Sequence, residues 1–457
     1  MDLDVKEVPP SNDDELQCSL LLHLPEHIWV EILLRLPLIS LLQCECVSNH
    51  WRSLIRTPDF IHSFIGSQTQ PPPFSLLLQH YHPQPLRVIS NEPELKSLSY
   101  LPDLQQNNEH IKILASHNGL LFCRAIDMTS TLINDHLVIN PITMECLTLP
   151  PFPQRLRLNN RGSIGFVCSY NIDNSYSYRV VLIPDFHDDY LHTIRRFRVH
   201  IFSSETFEWS ESVVLCPEGF TSSSLVYPNV PYKGLLFWCD FKSCLFGFDP
   251  YNIRFCRFFA FPENWNSFLR SGPKDYHLGV CRGCLRIGII SGIISKGSES
   301  KEFPINLIRV WELKDYNDTG GGKWSLEHKV YVNQMVSEKS PWLPQYVMEN
   351  YSDYGVQEHH PNDGDIMYLL VKQLVVLCNL RSRTLEIICD LPYHNIDLPQ
   401  HTVDPCELLN FELPCWPTTI FYSSSQDAEI EIEDTEIESS SFENLSICQD
   451  FISGCNI

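Results

Sequence analysis

Between Leu24 and Ile55 the chain reads LPEHIWVEILLRLPLISLLQCECVSNHWRSLI, with apolar positions at helical spacing. Ile28, Ile32, Leu33 and Leu36 stand at i, i+4, i+5 and i+8 and form one broad stripe. Pro25 suits the first helical position, where a missing N–H costs nothing, and Glu26 suits the positive end of the helix dipole. Pro37 ends this first predicted helix. Ser40 is a fair N-cap for a second, which carries Leu41, Leu42, Cys46 and Val47. Val47, Trp51, Leu54 and Ile55 make a third set, and Thr57-Pro58 is read as its close. Trp29, Val30 and Leu34 widen the apolar surface beyond one stripe, so these short helices carry more of it than they can cover themselves. The excess needs a partner, either the rest of the chain or another protein.

After Ile65 the pattern changes. QTQPPP (Gln68–Pro73) predicts a linker or sharp turn, and amphipathic helices are hard to find beyond it. Short β-type runs recur instead: FSLLL (Phe74–Leu78), GLLFC (Gly119–Cys123), HLVIN (His136–Asn140), YRVVLI (Tyr178–Ile183), RVHIF (Arg198–Phe202), GLLFW (Gly234–Trp238) and LVVLC (Leu374–Cys378). Turn residues separate them, which predicts an all-β assembly. A weak repeat runs through them. Anchored at Asn140, Ser203, Asp249 and Asn379, the third following residue is Thr143, Thr206, Asn252 and Ser382, a turn type each time. The sixth is Cys146, Trp209, Phe255 and Leu385, read as pointing inward. RVWELKDYNDTGGGKWSLEHKV fits as a fifth copy with its turn enlarged by glycines near Gly320. Separations on the order of 45 to 65 residues, or multiples of them, suit four-stranded blades with variable loops.

The front segment also carries a resemblance. Leu24-Pro25, then Glu31-Ile32-Leu33 with Arg35-Leu36-Pro37, then Ser40-Leu41-Leu42, then Val47 and Trp51-Arg52-Ser53-Leu54-Ile55, resemble the F-box in order and spacing. The resemblance implies a three-helix module that docks on a Skp-type adaptor, which in turn joins a cullin scaffold and a RING subunit in a ubiquitin ligase. It implies an adaptor-binding set of Leu24, Pro25, Ile28, Ile32, Leu33, Leu36, Pro37, Leu41, Leu42, Val47, Trp51 and Leu54. Leu24, Pro25, Ile28 and Leu41 are expected to face the partner, and Trp51 to sit in the module's own core. Gln43, Glu45 and Asn49 stand where the family often has basic residues, so long-range attraction to an acidic adaptor should be weak.

Gly119-Leu-Leu-Phe122 with Asn140-Pro141, and Gly234-Leu-Leu-Phe237 with Asp249-Pro250, repeat one order of glycine, strand, loop, strand and turn. With LGVCRGCLRIGII (Leu278–Ile290), VWELKD (Val310–Asp315), HPNDGDIMYLL (His360–Leu370) and WPTTIF (Trp416–Phe421), they resemble the F-box-associated domain of plant-type F-box proteins. That resemblance covers most of residues 74–422 and implies a kelch-related, β-propeller-like domain that holds substrates, of roughly six to eight blades. The double glycine of kelch repeats is not evident. The expected fold class is therefore α+β and multidomain. Residues 1–18 form a disordered N-terminus, 19–66 a small all-α three-helix F-box, 67–73 a linker, 74–422 an all-β propeller-like domain, and 423–457 an acidic disordered tail.

Composition narrows the function classes. At 457 residues there is room for two to three domains, and an apolar share of 43% is that of an ordinary soluble protein. A net charge of −23 lacks the basic footprint that nucleic acid requires and disfavours anionic membrane surfaces. No apolar run approaches the roughly 20 residues needed to span a bilayer. The acidic start, MDLDVKEVPPSNDDEL, is unlike a secretory signal, so the eighteen cysteines are expected to stay reduced, in cytoplasm or nucleus. Only Cys281-Arg-Gly-Cys284 has metal-ligand spacing, and without a second pair it reads as a glycine-containing turn.

Catalytic signatures are missing: there is no G-x-S-x-G, no phosphate loop and no dinucleotide fingerprint. His23 and His27, or His359 and His360, lack the acidic spacing of an HExxH site and read as surface histidines. Asp363 and Asp365 lie in PNDGD, first a turn signal. From Ser423 onward the chain holds nine Asp/Glu and no Lys or Arg, which predicts a solvated tail. No catalytic residue, metal or cofactor is expected, and no substrate-binding residue is assignable. The leading expectation is a substrate-recognition subunit of a Skp-cullin-F-box ubiquitin ligase that recruits an unknown protein substrate, with no nucleic acid or membrane partner. The alternatives are a binding scaffold with a degenerate F-box, and a propeller enzyme such as a hydrolase or oxidase.

Overall fold

The computed structural model describes residues 25–67, 72–80, 86–89, 109–127, 136–143, 145–152, 163–170, 176–183, 193–221, 225–240, 244–253, 256–262, 276–293, 305–316, 322–350, 356–390, 406–414, 416 and 420. The expected disordered terminus and acidic tail, residues 1–18 and 423–457, lie outside this set, as do Leu24 and His23. No helix among the described residues is long and apolar enough to cross a membrane.

Among the described residues the front unit contains four short helices: α1 (Glu26–Leu33), α2 (Leu38–Val47), α3 (Asn49–Ile55) and α4 (Pro58–Ser67). Three were expected. Thr57-Pro58 opens α4 instead of closing the module: the Thr57 hydroxyl accepts from Phe60 N at 3.4 Å, Pro58 takes the first position, and Asp59 follows in the first turn. All three are helix-start signals. Likewise α2 begins at Leu38, before the expected cap at Ser40, with Leu41 N donating to the Pro37 carbonyl at 2.9 Å.

The rest is a ring of six antiparallel sheets. Five have four strands each: β3 (Glu109–His117), β4 (Leu120–Asp127), β5 (His136–Asn140) and β6 (Glu145–Thr148); β7 (Ser163–Tyr170) to β10 (Glu208–Thr221), through β8 (Tyr176–Ile183) and β9 (Thr193–Ser203); β11 (Leu225–Tyr232), β12 (Leu235–Asp240), β13 (Cys244–Phe248) and β14 (Cys256–Ala260); β15 (Tyr276–Cys281), β16 (Cys284–Ile293), β17 (Ile305–Lys314) and β18 (Lys323–Tyr331); β19 (Val356–His359), β20 (Ile366–Val371), β21 (Leu374–Asn379) and β22 (Thr384–Asp390). In the sixth, β23 (Cys406–Glu412) pairs with β1 (Phe74–His80), which pairs with β2 (Arg87–Ile89). The first strand of each four-stranded blade, together with β23, touches its neighbours in succession around a central axis. Blade six is thus shared between the two ends of the β domain, and the Phe74↔Glu412 to His80↔Cys406 register closes the ring. Closure leaves no open sheet end at the seam.

The turns repeat. Asn118-Gly119, Lys233-Gly234 and Arg282-Gly283 each join an inner strand to its neighbour with both residues at positive φ, from 46° to 80°. That is the mirror-type hairpin, whose twist matches paired strands. Cys281 and Cys284 face each other across the last of these, so the CxxC spacing is a hairpin turn. The repeat anchored at Asn140, Asp249 and Asn379 is a side-chain turn. Each Oδ1 accepts from the backbone N–H two and three residues on, at 2.9 to 3.3 Å. Ser203 does the same to Glu205 N at 3.3 Å. The inward reading of the sixth residue holds for Leu385, which is buried, and fails for Cys146, which is exposed on outermost β6; Phe255 is outside the described set.

Apolar clusters fill the wedges between blades, for example Trp238 and Phe246 of blade three against Phe197 and Val199 of blade two. Besides α4, a further helix escaped the sequence reading: α5 (Leu343–Asn350), between β18 and β19, buries Leu343 and Val347 one turn apart. His359, expected at the surface, is buried on β19, while His360 packs edge-on to Phe74 at 4.6 Å.

Candidate functional site

The front helices sort the adaptor-binding set into two groups. Leu33, Leu41 and Leu54 are buried, and Leu41, at 0% exposure, lies in a core with Leu33, Ile55, Phe60, Ile61, Phe64 and Trp416. Leu41, expected to face the partner, thus lies in the unit's own core and supports the helix from behind. The opposite holds for Val47, 76% exposed, and Ile32, 42% exposed; Pro25 and Pro37 are exposed as well. Ile28 and Leu42 are half-buried and belong to no core cluster. Leu36 and Trp51 are half-buried at the edge of the core, with the Trp51 indole 5.2 Å from that of Trp29. Pro25, Ile28, Ile32, Pro37, Leu42 and Val47 thus remain as apolar surface outside the unit's own core.

The geometry depends on the caps. Pro25 presents its carbonyl to Ile28 N at 2.9 Å, and Ser48 accepts from Trp51 N at 3.4 Å, which sets the α2–α3 corner beside Val47. Of the three positions that depart from a basic pattern, Gln43 and Asn49 are exposed and uncharged, while Glu45 holds Arg56 at 3.2 Å and its carbonyl accepts from Arg52 Nε at 3.1 Å.

The unit is mounted on the ring by contacts a linear reading misses. Trp416, just past β23, stands edge-on to Phe64 at 5.6 Å and to Phe60 at 6.5 Å. Leu413 N donates to the Pro73 carbonyl at 3.0 Å, and Asn362 Nδ2 to that of Pro72 at 3.0 Å. A Cβ on Gly119 would lie 2.5 Å from Pro414, so the hairpin after β3 is at this same end. The helices therefore join the ring at the end where inner strands finish. The connections between second and third strands, and between blades, leave from the other end, and most of their residues are outside the described set.

An F-box domain model matches residues 21–63, and the model described as F-box protein At3g26010-like, beta-propeller, matches residues 94–400. The ring-closing strands β1, β2 and β23 lie outside that second match. The chain is 23% identical over 446 residues to the Arabidopsis thaliana F-box/kelch-repeat protein At1g15680, covering 89% of this chain and 97% of that one. It is 23% identical over 386 residues to the Arabidopsis F-box protein At3g23950, covering 80% and 85%. A chain in the Crystal Structure of Mitotic Checkpoint Complex aligns at 10% identity and a TM-score of 0.30, covering 62% of this chain and 81% of that one, too distant to carry an argument. F-box domains bind Skp-type adaptors. With its helical unit in front of a six-bladed ring, the chain belongs to the F-box proteins with an At3g26010-like β-propeller.

Proposed function

We propose that this chain is the substrate-recognition subunit of a Skp-cullin-F-box ubiquitin ligase: the F-box helices dock on the adaptor, and the propeller holds a protein substrate without performing chemistry on it. The observation that carries this reading is the exposed set Pro25, Ile32, Pro37 and Val47, left uncovered although the same helices bury Leu41 against Trp416. A module that needed only to pad the ring would turn these residues inward, and leaving them in water is unfavourable unless a partner covers them. Substrate selection then falls to the ring end away from the F-box, where connection length varies freely on a rigid frame. The test is affinity purification of the full chain after proteasome block, read by mass spectrometry. Adaptor and cullin should co-purify with the wild type and be lost with Val47→Glu, and a protein enriched with the wild type should accumulate when the chain is removed from cells. Absence of adaptor and cullin from the wild-type eluate would leave a propeller scaffold.

A further inference from the structure

At the ring end where the F-box joins, the central channel widens into a cavity of about 510 Å³, within the range of small-ligand sites. Inner strands from five blades contribute to it: His117 of β3, Tyr232 of β11, His277 of β15, Glu358 of β19, and Asn410 and Glu412 of β23. Two of these polar groups have an atom without a partner among the described residues, Asn410 and His277, while Glu358 accepts from the His359 N–H at 3.2 Å and from the Asn410 backbone N–H. Asn410 Nδ2 donates to the His359 carbonyl at 2.8 Å, which fixes the amide and leaves Oδ1 with no partner among the described residues. His277, 8% exposed, has no partner for Nδ1, and its Nε2 stands 3.8 Å from Glu358 Oε1, beyond a hydrogen bond. Among the described residues no Lys or Arg pairs with Glu358 or Glu412; the nearby Lys233 ammonium lies over the Tyr232 and Tyr316 rings, 5.3 and 5.1 Å from their centroids. No trio of metal-ligating groups converges among the described residues.

We propose that this cavity binds a small organic cation with primary ammonium or guanidinium groups, its N–H donors meeting Glu358, Glu412 and Asn410 Oδ1. Asn410 Oδ1 is a buried acceptor without a donor, which is costly, and a ligand that carries both positive charge and several N–H groups satisfies it while meeting the two carboxylates, which no Lys or Arg neutralises among the described residues. The proposal does not rest on the ligase reading.

The electrostatics give it a pH signature. Burial pushes the Glu358 carboxyl up to about 8, against the His359 and Asn410 N–H groups that favour its charged form and with Glu412 and Glu407 adding to the rise, and burial also raises Glu412 and Glu407. Burial holds His277 and His359 neutral, with His359 at about 4, and His117 of β3 sits at about 4 as well. Lys112 of β3 faces Glu407, not Glu358. At neutral pH the free site is thus largely uncharged, and an incoming cation draws the proton off Glu358. Binding should release a proton at pH 7 and tighten by up to about tenfold per pH unit until pH 8.

Calorimetric titration of the full-length chain with spermidine and with agmatine, at pH 6.5 and 8 in buffers of different ionisation heat, tests this. One saturable site, tighter at the higher pH and releasing a proton at the lower, is expected. The double variant Glu358→Gln with Glu412→Gln should bind at least tenfold more weakly, while Glu349→Gln on exposed α5 should bind as the wild type does. Absence of saturable binding by both probes, or equal binding by the double variant, overturns the proposal. If the double variant does not fold, the wild type decides: binding with no proton released at the lower pH overturns it.

Discussion

Phe64 and Trp416 meet edge to face, ring centroids 5.6 Å apart at 72°. One lies on the helix before the linker and the other just past the strand that closes the ring, so the F-box is fixed to the propeller by packing as well as by chain connection. Trp416 is 6% exposed and also touches Phe60. Trp416→Ala should cost about 3–5 kcal/mol at this junction. The expected readout is faster proteolytic cleavage between the F-box and the ring, with propeller unfolding little changed. Unaltered cleavage would mean that the linker alone holds the two together.

Val47 and Leu41 share α2 and should respond in opposite ways. Val47→Glu changes a side chain 76% exposed, so it should leave thermal unfolding within error and weaken adaptor capture by about 1–3 kcal/mol or more. Leu41→Ala empties a fully buried site and should cost about 2–5 kcal/mol of F-box stability, with adaptor binding falling only as folding falls. Melting curves set beside pull-downs of both variants separate surface from support.

Adaptor association should depend little on salt. Gln43 and Asn49 bring no charge to the exposed face, and Glu45 is already engaged by Arg56 at 3.2 Å. With few cations to steer approach, raising salt until the Debye length shrinks from about 30 to about 8 Å should change the association rate by less than about threefold. Surface plasmon resonance across that range checks it; a steep decline would reveal steering from elsewhere on the chain.

Glu358 should make stability decline from about pH 4.5 to about pH 8. Folded Glu358 keeps its proton up to about pH 8, whereas an unfolded glutamate releases it near 4.5. Its contribution is complete below about 4.5 and is lost as pH rises toward 8. Buried neutral His117 and His359 act the other way. Each is held at about 4 against an ordinary 6.5, so their contribution is complete above 6.5 and lost as pH falls toward 4. Glu358→Gln should flatten the first slope and leave the second, measured by chemical denaturation across pH 5 to 8, a range set by the shift to about 8.

The β-turns were legible in the residues because their chemistry is local. Asn140, Asp249 and Asn379 reach N–H groups only two and three residues on, and Asn118-Gly119 is a residue pair that tolerates the positive φ of a hairpin turn. The apolar runs between these turns named the strands for the same reason. The F-box pattern was legible too, since α1 to α3 follow from stripes and caps within forty-odd positions. The signal for α4 was also present in Thr57, Pro58 and Asp59, and was misread as an end because proline stops a helix as readily as it starts one.

Tertiary structure decided what depends on distant partners. Six blades, and not more, follow from β23 finding β1 across almost the whole β domain, a pairing no local period encodes. Leu41 and Val47 are equally apolar and lie on one helix. Only the arrival of Trp416, with α4 behind it, makes one of them core and leaves the other in water. Glu358, His359 and Asn410 carry no motif; it is the closing of six inner strands around one axis that encloses them, and loss of water is what shifts the charge of Glu358 and His359. Turn geometry is settled within a few bonds, whereas burial is a property of everything that surrounds a side chain, and that is known only once the ring is closed.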